Sequence, residues 1–288
     1  MKERIREKLL ESQKNEITEY RIYTKLAENL DHVENREILK KVGREEKEHY
    51  DFWKGYTGED VEPSRLKIWF YLILSKIFGL SFGIKLMELG EESAQETYEK
   101  ISEQIPEAKS IVEDEDEHED ELLRMLDEER LDYVGSVVRG LNDALVELTG
   151  ALAGLTFVLA KTDLIALTGL ITGIAASLSM GGSEYLGSKS EEGSKDPRKA
   201  SIYTGLSYII TVVFLIFPYF LLSNVYLSLM FMVINAVIVI IVFSFYMSVV
   251  QELSFKSRFM EMAGISLGIA ALTFVIGFII RAYFGVEV

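Results

Sequence analysis

The chain has 288 residues, 49% of them hydrophobic, a formal net charge of −15 and no cysteine. Without cysteine it has no disulfide framework, thiolate zinc site or cysteine-ligated iron–sulfur cluster, and its acidity disfavours nucleic acid and anionic lipid as partners while concentrating cations. The charge is uneven: residues 1–132 hold 35 Asp and Glu against 21 Lys and Arg, a net of −14, whereas residues 133–288 hold 10 against 9.

The opening MKERIREKLLESQKNE is charged throughout, so no cleavable signal peptide is expected. Helical periodicity dominates residues 1–132. It predicts a first helix from about Lys2 to Leu30 and a second from about Val33 to Trp53. A break at Gly55, Gly58 and Pro63 precedes a long third helix to about Ser102, and a fourth runs from Pro106 to about Arg130. Proline suits a helix's first turn. Four helices joined by short turns predict a bundle domain over residues 1–132.

One pattern occurs twice in this half. Glu16 precedes Tyr23 by seven residues and is followed by Glu46-Lys47-Glu48-His49; Glu91 precedes Tyr98 by seven and is followed by Glu115-Asp116-Glu117-His118. Glutamate and histidine at i and i+3 project from one helix face. Two such pairs, with one glutamate from each other helix, supply four carboxylates and two imidazoles. That inventory suits two divalent ions bridged by carboxylates in a bundle core, and oxygen and imidazole donors without thiolates suit iron or manganese. The predicted metal set is Glu16, Glu46, His49, Glu91, Glu115 and His118, with Glu19 a rival to Glu16 one turn away. Most of the run Glu113–Glu121 is expected to be a solvated face, and His32 a surface or capping residue.

With Gly90-Glu91 and the order Glu, E-x-x-H, Glu, E-x-x-H, residues 1–130 resemble the ferritin-like proteins of the rubrerythrin type. The resemblance implies a carboxylate-bridged di-iron site, with ferrous oxidation or iron sequestration as its usual chemistry. The chain departs from rubrerythrin in lacking the four-cysteine rubredoxin module.

Leu66–Met87 is an apolar stretch interrupted by Lys76. A lysine near a bilayer centre costs roughly 2.5–3.5 kcal/mol on insertion scales. The expectation is therefore one long helix, in the membrane interface or against a second protomer, with Gly79 and Gly83 permitting close contact.

A membrane span needs about 20 mostly apolar residues. Five stretches of residues 133–288 qualify: about Ser136–Ala160, Leu164–Leu186, Ile202–Leu222, Val225–Val250 and Met262–Phe284. The fold class is thus all-α, a four-helix bundle followed by a five-span membrane domain. Lys189, Lys195, Arg198 and Lys199 follow the second span and Lys256 and Arg258 the fourth, whereas the loop after the first has only Lys161. Positive charge favours the cytoplasmic side, which places the N-terminal domain in the cytoplasm; the membrane expected for the transporter considered below is the cytoplasmic one.

An ionisable side chain within a span is a functional candidate because it is expensive to keep there. Asp143 and Glu147, at i and i+4, share a face of the first span; Glu184 lies near the end of the second, four residues after Met180. A thioether beside carboxylates selects a transition metal over calcium or magnesium, and carboxylates can exchange protons for metal. The predicted transport path is Asp143, Glu147, Met180 and Glu184, with Asn235 expected to pack helices.

GLNDALVELTGALAG and AASLSMGGSEYLGSKSEE resemble the first two spans of the vacuolar iron transporter family. That resemblance implies a homodimer exchanging Fe²⁺ or Mn²⁺ for protons, with Asp143 and Met180 on the path. Some members carry a glutamate eight residues before the methionine, where this chain has Thr172. Plant members insert a long acidic region between spans two and three, where this chain has only a Ser188–Lys199 connector. The whole arrangement resembles the membrane-bound ferritins of bacteria, associated with iron export. The leading expectation is a proton-coupled Fe²⁺ or Mn²⁺ efflux transporter whose bundle captures or senses metal. Two alternatives stand beside it: a membrane-anchored di-iron oxidase, peroxidase or ferroxidase, and a non-catalytic regulator that gates the membrane half.

Overall fold

A computed structural model describes residues 3–102, 104–125, 133–190 and 196–284, with side chains for all of these except residues 3, 4, 91–97, 99, 100, 119, 123 and 284. Every regular element among the described residues is helical, and the chain divides into two compact units, Met1–Glu128 and Glu129–Val288.

In the first unit, α1 (Glu3–Glu28) and α2 (Val33–Thr57) pair along their lengths. His32 caps α2, its Nδ1 accepting from Asn35 N at 3.4 Å, so the histidine is a cap as expected. α2 runs through Gly55 and stops at Gly58, whose φ of 72° is the left-handed conformation glycine adopts without strain. The predicted long third helix is two: α3 (Arg65–Phe78) and α4 (Leu80–Ser102), parted at Gly79 with φ 103°. The chain turns back there, because Gly83 lies against Ser75, and a Cβ at position 83 would overlap the serine side chain. The close contact expected of Gly79 and Gly83 is thus internal to this unit, and Leu66–Met87 is not one long helix. A short 3₁₀ turn at Pro106–Ala108 leads into α5 (Lys109–Arg124), while the predicted end of that helix, residues 126–130, lies outside the described residues.

Two apolar clusters hold this unit. Ile22, Tyr23, Leu26, Leu39, Val42, Ile84, Met87 and Leu122 make one; Leu9, Trp53, Tyr98, Ile101 and Ile111 make the other. Burying one such side chain stabilises by roughly 1.5–3 kcal/mol. Along α5, Glu113, Asp114, Asp116, Glu117 and Asp120 are exposed, so most of the acidic run is a solvated face as its composition predicts.

The second unit contains α6 (Val134–Leu159), α7 (Thr162–Ser190), α8 (Pro197–Leu221), α9 (Val225–Val250) and α10 (Phe255–Phe284). All five are long and apolar enough to cross a membrane, with mean hydropathies from 1.3 to 2.7; the chain is an integral membrane protein. α7, α8 and α10 extend several residues beyond the apolar runs that predict them, since helix geometry continues where hydropathy stops. α6 is central, packing on the other four. Small residues bring these helices close: Thr204 Oγ1 donates to Ser136 O (3.0 Å), Ser177 Oγ to Gly205 O (2.8 Å) and Thr273 Oγ1 to Gly150 O (2.7 Å). In hydrocarbon such contacts replace the hydrophobic drive that water would supply. Asn235 Nδ2 donates to Phe214 O at 2.8 Å, joining α9 to α8 in the packing role expected of it.

Candidate functional site

The bundle gathers four of its predicted metal ligands around one point. Glu16 comes from α1, Glu46 and His49 from α2, and Glu115 from α5; their ligand atoms lie within 4.8 Å of one another. His118, one turn beyond Glu115, joins them, with its ring centroid 5.6 Å from that of His49. The side chain of Glu91 lies outside the described residues.

Glu46 and Glu115 each face both imidazoles. His49 Nδ1 stands 3.8 Å from Glu46 Oε2 and 3.4 Å from Glu115 Oε1, while His118 Nδ1 stands 3.4 Å from Glu46 Oε1 and 3.7 Å from Glu115 Oε2. Glu16 Oε2 lies 3.8 Å from His49 Nδ1. Each histidine turns its other nitrogen outward onto a carboxylate: His49 Nε2 to Asp114 Oδ2 at 3.2 Å, and His118 Nε2 to Glu45 Oε2 at 2.9 Å. A carboxylate on Nε2 fixes the proton there and leaves the Nδ1 lone pair for a metal.

Glu16 is held by the apolar core beneath it. Trp53 Nε1 (2.9 Å) and Tyr98 OH (2.7 Å) both donate to Glu16 Oε1, which leaves Oε2 turned into the centre. Glu16 Oε2, Glu46 Oε2, His49 Nδ1 and His118 Nδ1 are buried without a hydrogen-bond partner. Natural folds seldom leave buried polar atoms so. Four of them, all of ligand type and converging on one point, fit a bound cation.

Electrostatics agree. Burial opposes charge on His49, but the Glu115 and Glu46 carboxylates override it and push the imidazole up to about 10. The same balance pushes His118 up to about 11. Burial also works to raise Glu46, yet the imidazoles of His118 and His49 beside it bring it down to about 2. Glu16 and Glu19 are raised well above the usual carboxylate range, by burial first and by Glu46 and Glu115 next. Protons on imidazoles and carboxylates thus offset charge that a divalent cation would otherwise neutralise.

The membrane unit arranges its charged groups differently. Glu147 on α6 is exposed, and its Oε2 accepts from the OH of buried Tyr208 on α8 at 2.8 Å. Asp143, one turn earlier, is partly buried. Met180 on α7 is half-buried against the central apolar cluster. Glu184 is held by Arg139: Arg139 Nε donates to its Oε2 at 2.8 Å, Arg139 Nη2 donates to Oε1, and Ser136 Oγ donates to Oε1 at 2.8 Å. Among the described residues, Asp143, Glu147 and Glu184 do not form a ligand cluster within one chain. A cavity of about 340 Å³ lies elsewhere on α6, lined with α9 and α10 by Arg139, Asn142, Met247, Glu261 and Met262; Asp143, Glu147 and Glu184 are not among its lining residues.

Residues 134–196 match a model of the VIT family. The match spans α6, α7 and the connection to α8, and together with the five apolar helices it fits a VIT membrane domain. No curated protein and no solved structure matches the chain.

Sequence reasoning missed Glu45, Asp114, Trp53, Arg139 and Tyr208. A signal for Trp53 existed: it follows Glu46 by seven residues, as Tyr98 follows Glu91. The others had none, because each acts across helices distant in sequence.

Proposed function

We propose that the protein is a divalent metal transporter for Fe²⁺ or Mn²⁺, working as a proton-coupled efflux antiporter of the cytoplasmic membrane. Its N-terminal domain (residues 1–132) is a cytoplasmic ferritin-like bundle that captures the cargo, and residues 133–288 form the membrane domain. The observation that carries this reading is the convergence of Glu16, Glu46, His49 and Glu115 with orphaned ligand atoms, in a chain whose residues 134–196 match the VIT family.

In the bundle, two ions would be held. Glu16 and His49 serve one and His118 with Glu91 the other, with Glu46 and Glu115 between them. Hard carboxylate oxygens with two imidazoles favour ferrous or manganous ions. In the membrane, Asp143, Glu147, Met180 and Glu184 form the path. An exposed carboxylate inside a span is costly in lipid, so the exposed Glu147 supports a second copy or a water-filled passage beside it. A homodimer would bring a second Asp143 and Glu147 to that face and supply the ligands that one chain lacks. Protonation of these carboxylates releases the metal, and their deprotonation readmits it, which couples the two fluxes.

The test is Fe²⁺ or Mn²⁺ uptake into proteoliposomes under an imposed pH gradient, comparing the wild type with Asp143→Asn. Transport by the wild type and none by the variant is the expected result. If neither moves metal although the protein is folded, the membrane half is an anchor, and a di-iron oxidase becomes the reading to pursue.

A further inference from the structure

α3 has two apolar faces, and only one of them is buried. Ile68, Tyr71, Leu72 and Ser75 turn inward, Ile68 with the Ile22–Leu39 cluster and Ser75 against Gly83. On the opposite side Leu66 (86% exposed), Trp69 (64%), Phe70 (50%), Ile73 (47%) and Ile77 (63%) face outward. At 100° per residue these five fall within an arc of about 100°, the width of an apolar stripe that normally faces a core. Contiguous apolar surface of this kind marks a binding face.

Charge decides what covers it. α3 contains no Asp or Glu, in a half of the chain that carries a net of −14. Its cations flank the stripe: Arg65 and Lys76 on one side, Lys67 on the other, all three exposed. Lys67 Nζ also donates to Asn15 Oδ1 at 3.2 Å. Two copies of this face pressed together about a two-fold axis would set lysine and arginine against lysine and arginine. A bilayer of anionic lipid complements them, takes the apolar stripe into its headgroup–acyl boundary, and suits tryptophan at that depth. Connectivity keeps such a surface in reach. α5 ends at Arg124 and the span α6 begins at Val134, so nine residues, at most roughly 30 Å of extended chain, separate them.

We propose that α3 is an amphipathic surface anchor, with Leu66, Trp69, Phe70, Ile73 and Ile77 seated in the interface of an anionic bilayer and Arg65, Lys67 and Lys76 on its phosphates. The proposal rests on the chain being membrane-embedded and is independent of what it transports.

The chain has two tryptophans, fully buried Trp53 and exposed Trp69, so lipid-depth quenching reads the helix directly. The full-length protein would be reconstituted in phosphatidylcholine–phosphatidylglycerol vesicles carrying dibrominated acyl chains. Blue-shifted Trp69 emission, strong quenching by the brominated lipid and loss of that quenching in Trp69→Phe are expected. Quenching should weaken in pure phosphatidylcholine and in Arg65→Glu/Lys76→Glu. Equal quenching of the wild type and Trp69→Phe would overturn the proposal. A nitroxide at Ile73→Cys, the sole cysteine in such a variant, gives a second readout that leaves both tryptophans in place. Greater accessibility to oxygen than to a water-soluble nickel chelate supports the anchor. The reverse order, or a disulfide between two copies of the unlabelled Ile73→Cys variant, would overturn the proposal, with water or a second protomer covering the face.

Discussion

In the bundle, Glu16 and Glu46 are buried beside His49 and His118, Glu115 is partly buried, and the ligand atoms converge within a single chain. In the membrane unit, by contrast, Glu147 is exposed with Tyr208 on one oxygen, Asp143 is half-covered, and Glu184 is already held by Arg139. The difference is one of completeness. Three helices of the first unit, α1, α2 and α5, supply the whole converging set among themselves. Spans whose outer faces are apolar leave a carboxylate pointing out of the fold only where another surface receives it.

Removing Asp143 offers the sharpest break between the two regions. Asp143→Asn is expected to reduce proteoliposome flux to background while leaving metal binding by the bundle intact; a matching loss in the bundle would mean that the two centres are not separate. His49→Ala with His118→Ala should do the converse. Bound Mn²⁺, counted by equilibrium dialysis of the full chain, should fall by the bundle's share while flux through the spans persists. If flux vanishes as well, capture is obligatory for transport.

Smaller effects are expected one layer out. Asp114→Asn and Glu45→Gln remove the carboxylates that orient the two imidazoles. Outer partners of this kind are worth about 10–100-fold in affinity, so the dialysis isotherm should shift by that factor at unchanged stoichiometry. A change in stoichiometry instead would make these residues ligands.

The pH dependence follows from the same geometry. His49 and His118 are pushed up to about 10 and about 11, so a metal ion bound through both imidazoles at neutral pH would displace a proton from each. Affinity for Mn²⁺ should therefore rise between pH 6 and 8, by roughly tenfold per pH unit for each proton released. Calorimetric enthalpies in two buffers of different ionisation heat count those protons, and equal enthalpies would show that none is released. The histidines' ion pairs also stabilise the metal-free fold. Since both groups are raised, that contribution is full below the ordinary imidazole value of about 6.5 and is lost as pH climbs through the folded values. Smallest of all, Gly83→Val should cost the bundle about 1–3 kcal/mol of overpacking strain, read as a lower midpoint in thermal melts followed by Trp53 fluorescence.

Much of this was legible in the order of residues. The E-x-x-H pairs place glutamate and histidine on one face of any helix they occupy, whatever the fold, so Glu46 with His49 and Glu115 with His118 could be paired on spacing alone. The choice between Glu16 and Glu19 could not be made that way, because both lie on the same side of α1. Burial resolves it in part: Trp53 and Tyr98 converge on Glu16, and although each follows a glutamate by seven residues, that spacing does not say which glutamate of α1 they meet. Arg139 was overlooked as the partner of Glu184 because 45 residues and a turn between helices separate them.

By itself the sequence determined the partition into an acidic helical half and five apolar spans, together with the types of ligand available. Those properties are local sums of charge, hydropathy and helical period. Only the tertiary structure decided that the Leu66–Met87 stretch folds back at Gly79 with Gly83 against Ser75, and that both Nδ1 atoms turn inward while Asp114 and Glu45 take Nε2. It also decided that Glu147 meets Tyr208. Each of these is a contact between residues far apart along the chain, and its energy exists only once the helices have packed.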